Sequence, residues 1–153
     1  NQVTINEGRM YKNGRAALVM EINDELSHYP SKVDGMSDAF YQDVKEGAGA
    51  GSNYSGNVSY GYSNMSEAIV GYINDNYNIS SGVGHRISML DTSANQVSFG
   101  LCGSYNAMSV YVTNSDLGNN DEFYAYPTPG YFPIDEYELV ESDKATAGDT
   151  KWS

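Results

Sequence analysis

A chain of 153 residues is long enough to bury a core without metal or disulfide staples, so one compact domain is expected. Twenty acidic against 8 basic residues give a formal net charge of -12, which repels phosphate backbones and anionic bilayer surfaces and excludes nucleic acid as a partner. A single cysteine excludes an internal disulfide, and no apolar run approaches the roughly 20 residues of a membrane span, so membrane insertion is not expected.

The 14 Tyr and 16 Gly, with few Lys, make a polar, acidic, Tyr-rich chain of the kind expected of a secreted or cell-surface protein. The absence of an initiator Met fits a mature product or an excised part of something larger. The sequons at Asn53, Asn57 and Asn78 carry weight only in a source that glycosylates Asn-X-Ser.

The first helix is expected from about Gly14 to His28. Ala17, Leu18, Met20, Ile22 and Leu26 recur near helical spacing, and Pro30 stops the pattern. His28 would then be an exposed residue at a helix C-terminus. A second helix, about Ser37 to Glu46, carries Ala39, Phe40 and Val44, with Ser37 or Asp38 near its N-cap. The run Gly47-Ala48-Gly49-Ala50-Gly51-Ser52 has no Gly-Lys-Ser/Thr and reads as a connecting loop, not a phosphate cradle. Tyr54 to Tyr62 reads as a turn-rich or short extended segment.

Ser66 is the expected cap of a third helix whose apolar face is Ala68, Ile69, Tyr72 and Ile73, ending around Asp75 to Tyr77. Asp75 follows Tyr72 by three residues and shares one side of that helix. In Gly82-Val83-Gly84-His85-Arg86-Ile87-Ser88-Met89-Leu90, two glycines allow a tight turn, and Ile87, Met89 and Leu90 read as an apolar anchor. That arrangement would fix the His85 imidazole at the edge of a core. Two strands follow, Gln96 to Leu101 and Ala107 to Thr113, with a hairpin turn over Gly103 to Asn106. Cys102 reads as a small buried hydrophobe.

The segment from Tyr124 to Pro133 holds three of the four prolines among aromatics and favours an extended conformation. Residues 1–122 are therefore taken as the domain and 123–153 as a Pro/aromatic-rich C-terminal extension packing on it or on a neighbour. Helices first and a hairpin afterwards indicate an α+β or layered α/β/α domain.

Several pieces stand in one order: Leu26-Ser27-His28, a small-residue segment with Asn57, Ala68 to Asp75, Gly84-His85-Arg86, and Val97-Ser98-Phe99-Gly100. This order resembles the CAP superfamily of cysteine-rich secretory, antigen-5 and pathogenesis-related proteins, its bacterial SCP-like branch in particular. Tyr126-Pro127-Thr128-Pro129-Gly130-Tyr131-Phe132-Pro133 is similar to a segment that follows the domain in some bacterial members. The resemblance covers roughly Ala16 to Pro133. It implies an α/β/α sandwich with an antiparallel sheet between helices, and a cleft holding two histidines and two acids, sometimes with a divalent metal. On this chain the histidines are His28 and His85, and the second acid is Asp75, with Tyr72 where a Trp is usual. The first acid is missing: aligning Ser55-Gly56-Asn57 puts Gly56 at its position, and aligning Gly51-Ser52-Asn53 puts Ser52 there.

The expected cleft is thus His28, Asn57, Tyr72, Asp75 and His85. His28, His85 and Asp75 are the candidate metal ligands, since two imidazoles and one carboxylate are the usual minimum for catalytic zinc. No cofactor is otherwise expected, and no catalytic residue is assigned. The glutamate that could serve as general base is absent, and neither a Gly-X-Ser-X-Gly elbow nor a poised Cys102 supplies a nucleophile. The expected function is a non-catalytic binding, adhesion or protein-assembly role, with protein subunits or cell-surface components as partners. The alternative is a metal-dependent hydrolase using His28, Asp75 and His85. A lipid- or sterol-binding module ranks last, because no apolar stripe is left over once the core is filled.

Overall fold

The computed structural model describes residues 3–50, 54–91 and 93–111, with the side chains at 54 and 55 excepted. The expected division at 122/123, the extension 123–153 and the end of the last strand at Thr113 lie outside the described residues.

Helix α1 spans Glu7–Asn23, starting well before the expected Gly14. Glycine in a helix interior costs roughly 0.5–1 kcal/mol relative to alanine, which is why the local pattern reads as beginning there. Packing explains its tolerance: a Cβ on Gly100 would overlap the backbone of Asn13 and Gly14, so the helix lies directly on the sheet at this point. The helix ends at Asn23 because Asp24 takes a left-handed conformation (φ 50°), and the N–H of Glu25 returns to Met20 O at 3.0 Å. His28 is therefore not at a helix C-terminus but in the following loop.

Helix α2 (Asp38–Gly47) is capped by Ser37, whose Oγ accepts from Phe40 N at 3.2 Å. A Cβ at Gly47 would overlap the Lys12 carbonyl, so α1 and α2 cross closely there. Lys12 bonds Glu46 and Arg15 bonds Asp43 along the same seam. Helix α3 (Met65–Asn74) is capped by Asn64 rather than by Ser66: Asn64 Oδ1 accepts from Glu67 N at 3.0 Å, and Glu67 reaches back to Ser63 N and Oγ. This is a capping-box logic in which the acid at the third helical position selects the start. A 3-10 turn (Asn76–Ser81) leads to the short helix α4 (Gly84–Met89). Ile87 on α4 is 57% exposed and is not the anchor its apolarity suggested, whereas Met89 packs inward.

Four strands, β1 (Thr4–Ile5), β2 (Tyr54–Tyr60), β3 (Gln96–Cys102) and β4 (Tyr105–Tyr111), form one sheet in the order β1-β3-β4-β2. The ladders β3–β4 and β4–β2 are antiparallel, but β1 pairs parallel to β3, so the sheet is mixed and not antiparallel throughout. Two residues carry no alternation to announce a strand. The hairpin turn is the two-residue Gly103-Ser104, tighter than expected, with Gly103 at φ 55° and Tyr105 already paired. Cys102 is half-buried rather than buried.

Helices cover both faces of the sheet. On one side, Ala16 and Met20 of α1 and Ala48 after α2 pack with Val58, Tyr105 and Ala107. On the other, Ala68 and Tyr72 of α3 pack with Met108 and Val110, joined by Val97 and Phe99. The expected period-2 alternation of β3 and β4 therefore delivers its apolar residues to the α3 face. The α1 face also holds a satisfied polar network, in which Asn13 Nδ2 donates to Gly47 O (2.8 Å) and Ser109 Oγ (3.0 Å) while Asn13 Oδ1 accepts from Ser98. Among the described residues, no helix is long and apolar enough to cross a membrane.

Candidate functional site

The C-terminus of α3 and the N-terminus of α4 cap each other. Asp75 closes α3 in a left-handed conformation (φ 47°) and is only 3% exposed. Val83, which precedes α4, offers no side-chain cap, and Asp75 supplies one from a distance: its Oδ2 accepts from His85 N at 2.9 Å and from Arg86 N at 3.2 Å. In return the buried Arg86 guanidinium donates from Nε to Ile73 O at 2.7 Å and from Nη2 to Asn74 O, carbonyls at the end of α3.

This exchange places His85. Its Nδ1 lies 2.9 Å from Asp75 Oδ1, and since a carboxylate oxygen accepts, Nδ1 carries the proton. In the neutral ring, Nε2, on the edge turned away from Asp75, is then the acceptor nitrogen. The Tyr72 ring packs against the imidazole with centroids 5.1 Å apart. Burial pushes the Tyr72 phenol up, which keeps it a neutral donor, and it bonds Asn106 Oδ1 in the sheet.

His28 reaches the same place from the loop after α1. Its Nδ1 lies 2.6 Å from the Ala48 carbonyl, so this ring too carries a proton on Nδ1, and in its neutral form Nε2 is the acceptor. The glycines make room for it: Gly49 takes φ 98°, and a Cβ on Gly56 would overlap Gly49 Cα, so loop and strand touch backbone to backbone beside His28.

Two adjoining clefts share His28, Asn78 and His85. The first, of about 390 Å³, is also lined by Gly56, Asn57, Ser81 and Ser88, and the second, of about 560 Å³, by Leu26, Ser59, Tyr60, Tyr72 and Asp75. Asn57 is buried and donates to Ser88 Oγ at 3.3 Å, tying β2 to α4. The five expected cleft residues are therefore brought together. Asp75, however, faces His85 and the start of α4. Among the described residues, no group of three or more His, Cys, Asp or Glu side chains is gathered as a metal ion requires. Among the described residues lining the two clefts, Asp75 is the only acid, and each of its oxygens accepts two hydrogen bonds.

Asn78, Ser81 and Ser88 were not anticipated in the wall. The signal available was the polar run from Asn74 to Ser81 just before Gly84-His85-Arg86, since Asn and Ser side chains in such runs bond nearby backbone and each other. Comparison with family models, curated proteins and solved structures finds no match for the chain.

Proposed function

We propose that this chain is a CAP-type domain, secreted or displayed on a cell surface, whose two-histidine cleft binds a ligand without turning it over. Protein subunits or cell-surface components are its proposed partners, in adhesion or assembly. The observation that carries the reading is the full engagement of Asp75: with both its oxygens occupied, the described residues of the cleft offer imidazoles, amides and hydroxyls but no spare carboxylate to act as a base. On the alignment that puts Gly56 at the family's first acid, that position is packed on Gly49 with no space for a side chain; on the other, the position is Ser52, which carries no carboxylate and lies outside the described residues. Helices on both faces of the sheet, and the cleft's composition, agree with the layering that the resemblance implies. The acidic, Tyr-rich composition supports the extracellular setting.

The test is to present the purified full chain, with and without divalent metals, to arrays of peptides, esters and glycans. Binding that is lost in His28→Ala or His85→Ala, with no turnover, is expected. Turnover abolished by His85→Ala would overturn the proposal.

One observation favours a second reading, the metal-dependent hydrolase. A carboxylate bonded to the Nδ1–H of a histidine is the usual outer support of a metal-ligating imidazole. In that reading His28 and His85 would bind zinc through Nε2 and Asp75 would orient His85. Stoichiometric zinc in protein purified without added metal would support it, and metal-free protein on elemental analysis would end it.

A further inference from the structure

We infer that the uncharged segment Tyr124 to Pro133 of this same chain docks in the tyrosine-walled groove beside α3. The groove, of about 610 Å³, is lined by Tyr62, Tyr77, Val70 and Gly71, with Glu67 from the first turn of the helix. A Cβ on Gly71 would overlap the Tyr62 hydroxyl, so the Tyr62 phenol lies on the backbone of α3 as one wall. Val70 is 57% exposed and Tyr77 is 95% exposed. Apolar and aromatic surface gathered in a recess and left open to water is the mark of a binding surface.

Three observations select the occupant. The first is shape and chemistry: Pro-rich segments dock in aromatic-lined grooves because their prolines favour the extended conformation in advance and little entropy is lost, and Tyr126-Pro127-Thr128-Pro129-Gly130-Tyr131-Phe132-Pro133 is such a segment. The second is charge. No residue from Phe123 to Ile134 is charged, whereas Asp121-Glu122 and Asp135-Glu136 stand on either side. The described lining residues of the groove include the Glu67 carboxylate and no cation, so the groove suits the uncharged stretch and repels its acidic flanks. A second copy is disfavoured on the same ground, since two chains of net charge -12 repel each other. The third is reach. Val110 near the end of β4 packs in one cluster with Ala68 and Tyr72 of α3, so the described strand ends under that helix. Residues 112–123 can span up to about 40 Å, and a domain of this size is about 35 Å across. Tethering raises the concentration of the segment at the groove to the order of millimolar, so weak contacts suffice to seat it.

The experiment is paramagnetic relaxation enhancement in the 15N-labelled full chain, with a nitroxide attached at Thr128→Cys in a Cys102→Ser background. The amide signals of Val70, Gly71 and Tyr77 are expected to lose most of their intensity, equally at every protein concentration, while those of Leu18 and Ile22 on α1, across the sheet, keep theirs. Full intensity at Val70 and Tyr77 would overturn the inference. In a mixture of 15N-labelled chains without nitroxide and unlabelled chains with it, no loss is expected, and a loss there would give the groove to a second copy and overturn the inference as well. Val70→Asp, a change at an exposed position, is expected to restore the Gly71 and Tyr77 signals, and a persisting loss would place the segment elsewhere and overturn the assignment. If the cysteine variant does not fold, the parent protein decides. Nuclear Overhauser contacts are expected between the ring protons of Tyr62 or Tyr77 and those of Pro127 or Pro129, and their absence would overturn the inference.

Discussion

Asp75 and His85 are joined twice, side chain to side chain through Oδ1 and Nδ1 at 2.9 Å and side chain to backbone through Oδ2 and the His85 N–H at 2.9 Å. One carboxylate thereby orients the imidazole and caps the helix that carries it, so the site cannot lose its acid without loosening its scaffold. Asp75→Ala is expected to destabilise the fold by about 2–4 kcal/mol, because buried N–H groups lose their acceptor beside the buried Arg86. Asp75→Asn, which retains one acceptor oxygen, is expected to cost about 1–3 kcal/mol. Urea titrations with an unchanged slope and a lowered midpoint would check both.

Gly14 and Gly100 are predicted to respond oppositely to alanine. A Cβ at Gly14 meets nothing within 4 Å, so Gly14→Ala is expected to stabilise α1 by about 0.5–1 kcal/mol. Gly100→Ala drives a methyl into the α1 backbone and is expected to cost about 1–3 kcal/mol. Thermal melts of the pair would read the difference as shifts of opposite sign.

Restoring an acid at position 56 is expected to fail. The Cβ of Gly56→Glu overlaps the Gly49 backbone, so the variant should lose stability and displace the loop carrying the Ala48 carbonyl, the partner of His28. Gain of hydrolytic activity in a Gly56→Glu protein of parental melting temperature would contradict this.

The α1–α2 seam should show in the pH dependence of stability. The bond from Lys12 holds the Glu46 carboxyl below its ordinary 4.5, so its contribution is present above that value and is lost as the pH falls through the lowered one. The same bond raises Lys12 above 10.5, so that contribution is present below 10.5 and is lost as the pH rises through the raised value. Glu46→Gln is expected to flatten both limbs and to cost about 1 kcal/mol at neutral pH. Denaturant midpoints measured across the pH range would check it.

Two tyrosines should ionise late. The hydrogen bond to Asp24, at 2.7 Å, pushes Tyr105 up to about 12, and burial pushes Tyr72 up further. Both favour the neutral phenol in the folded chain, so stability is held below the ordinary value of 10 and lost as the pH rises toward the raised ones. An alkaline absorbance titration in which Tyr72→Phe removes an early component instead of a late one would refute this.

The sequence by itself determined what short-range signals can carry. Ser37 and the spacing after it announced α2, Ala68, Ile69 and Tyr72 announced α3, and the alternation of Val97 with Phe99 and of Met108 with Val110 announced the hairpin. His28, Asp75 and His85 were nominated together only through the family resemblance, not by any local signal. What only the tertiary structure decided depends on partners distant in sequence. Helix α1 runs through Gly14 because β3 lies against it, Thr4 and Ile5 become a strand only by pairing with Gln96 and Val97, and His28 belongs to the cleft because Ala48 accepts its proton. The role of Asp75 was hidden for the same reason. As a type of residue it is a candidate ligand, and only the positions of His85, Arg86 and Asn78 around it show that its oxygens are already spent. Periodicity and capping report the free energy of one segment at a time, whereas a carboxylate's role is set by which donors the folded chain brings to within about 3 Å of it.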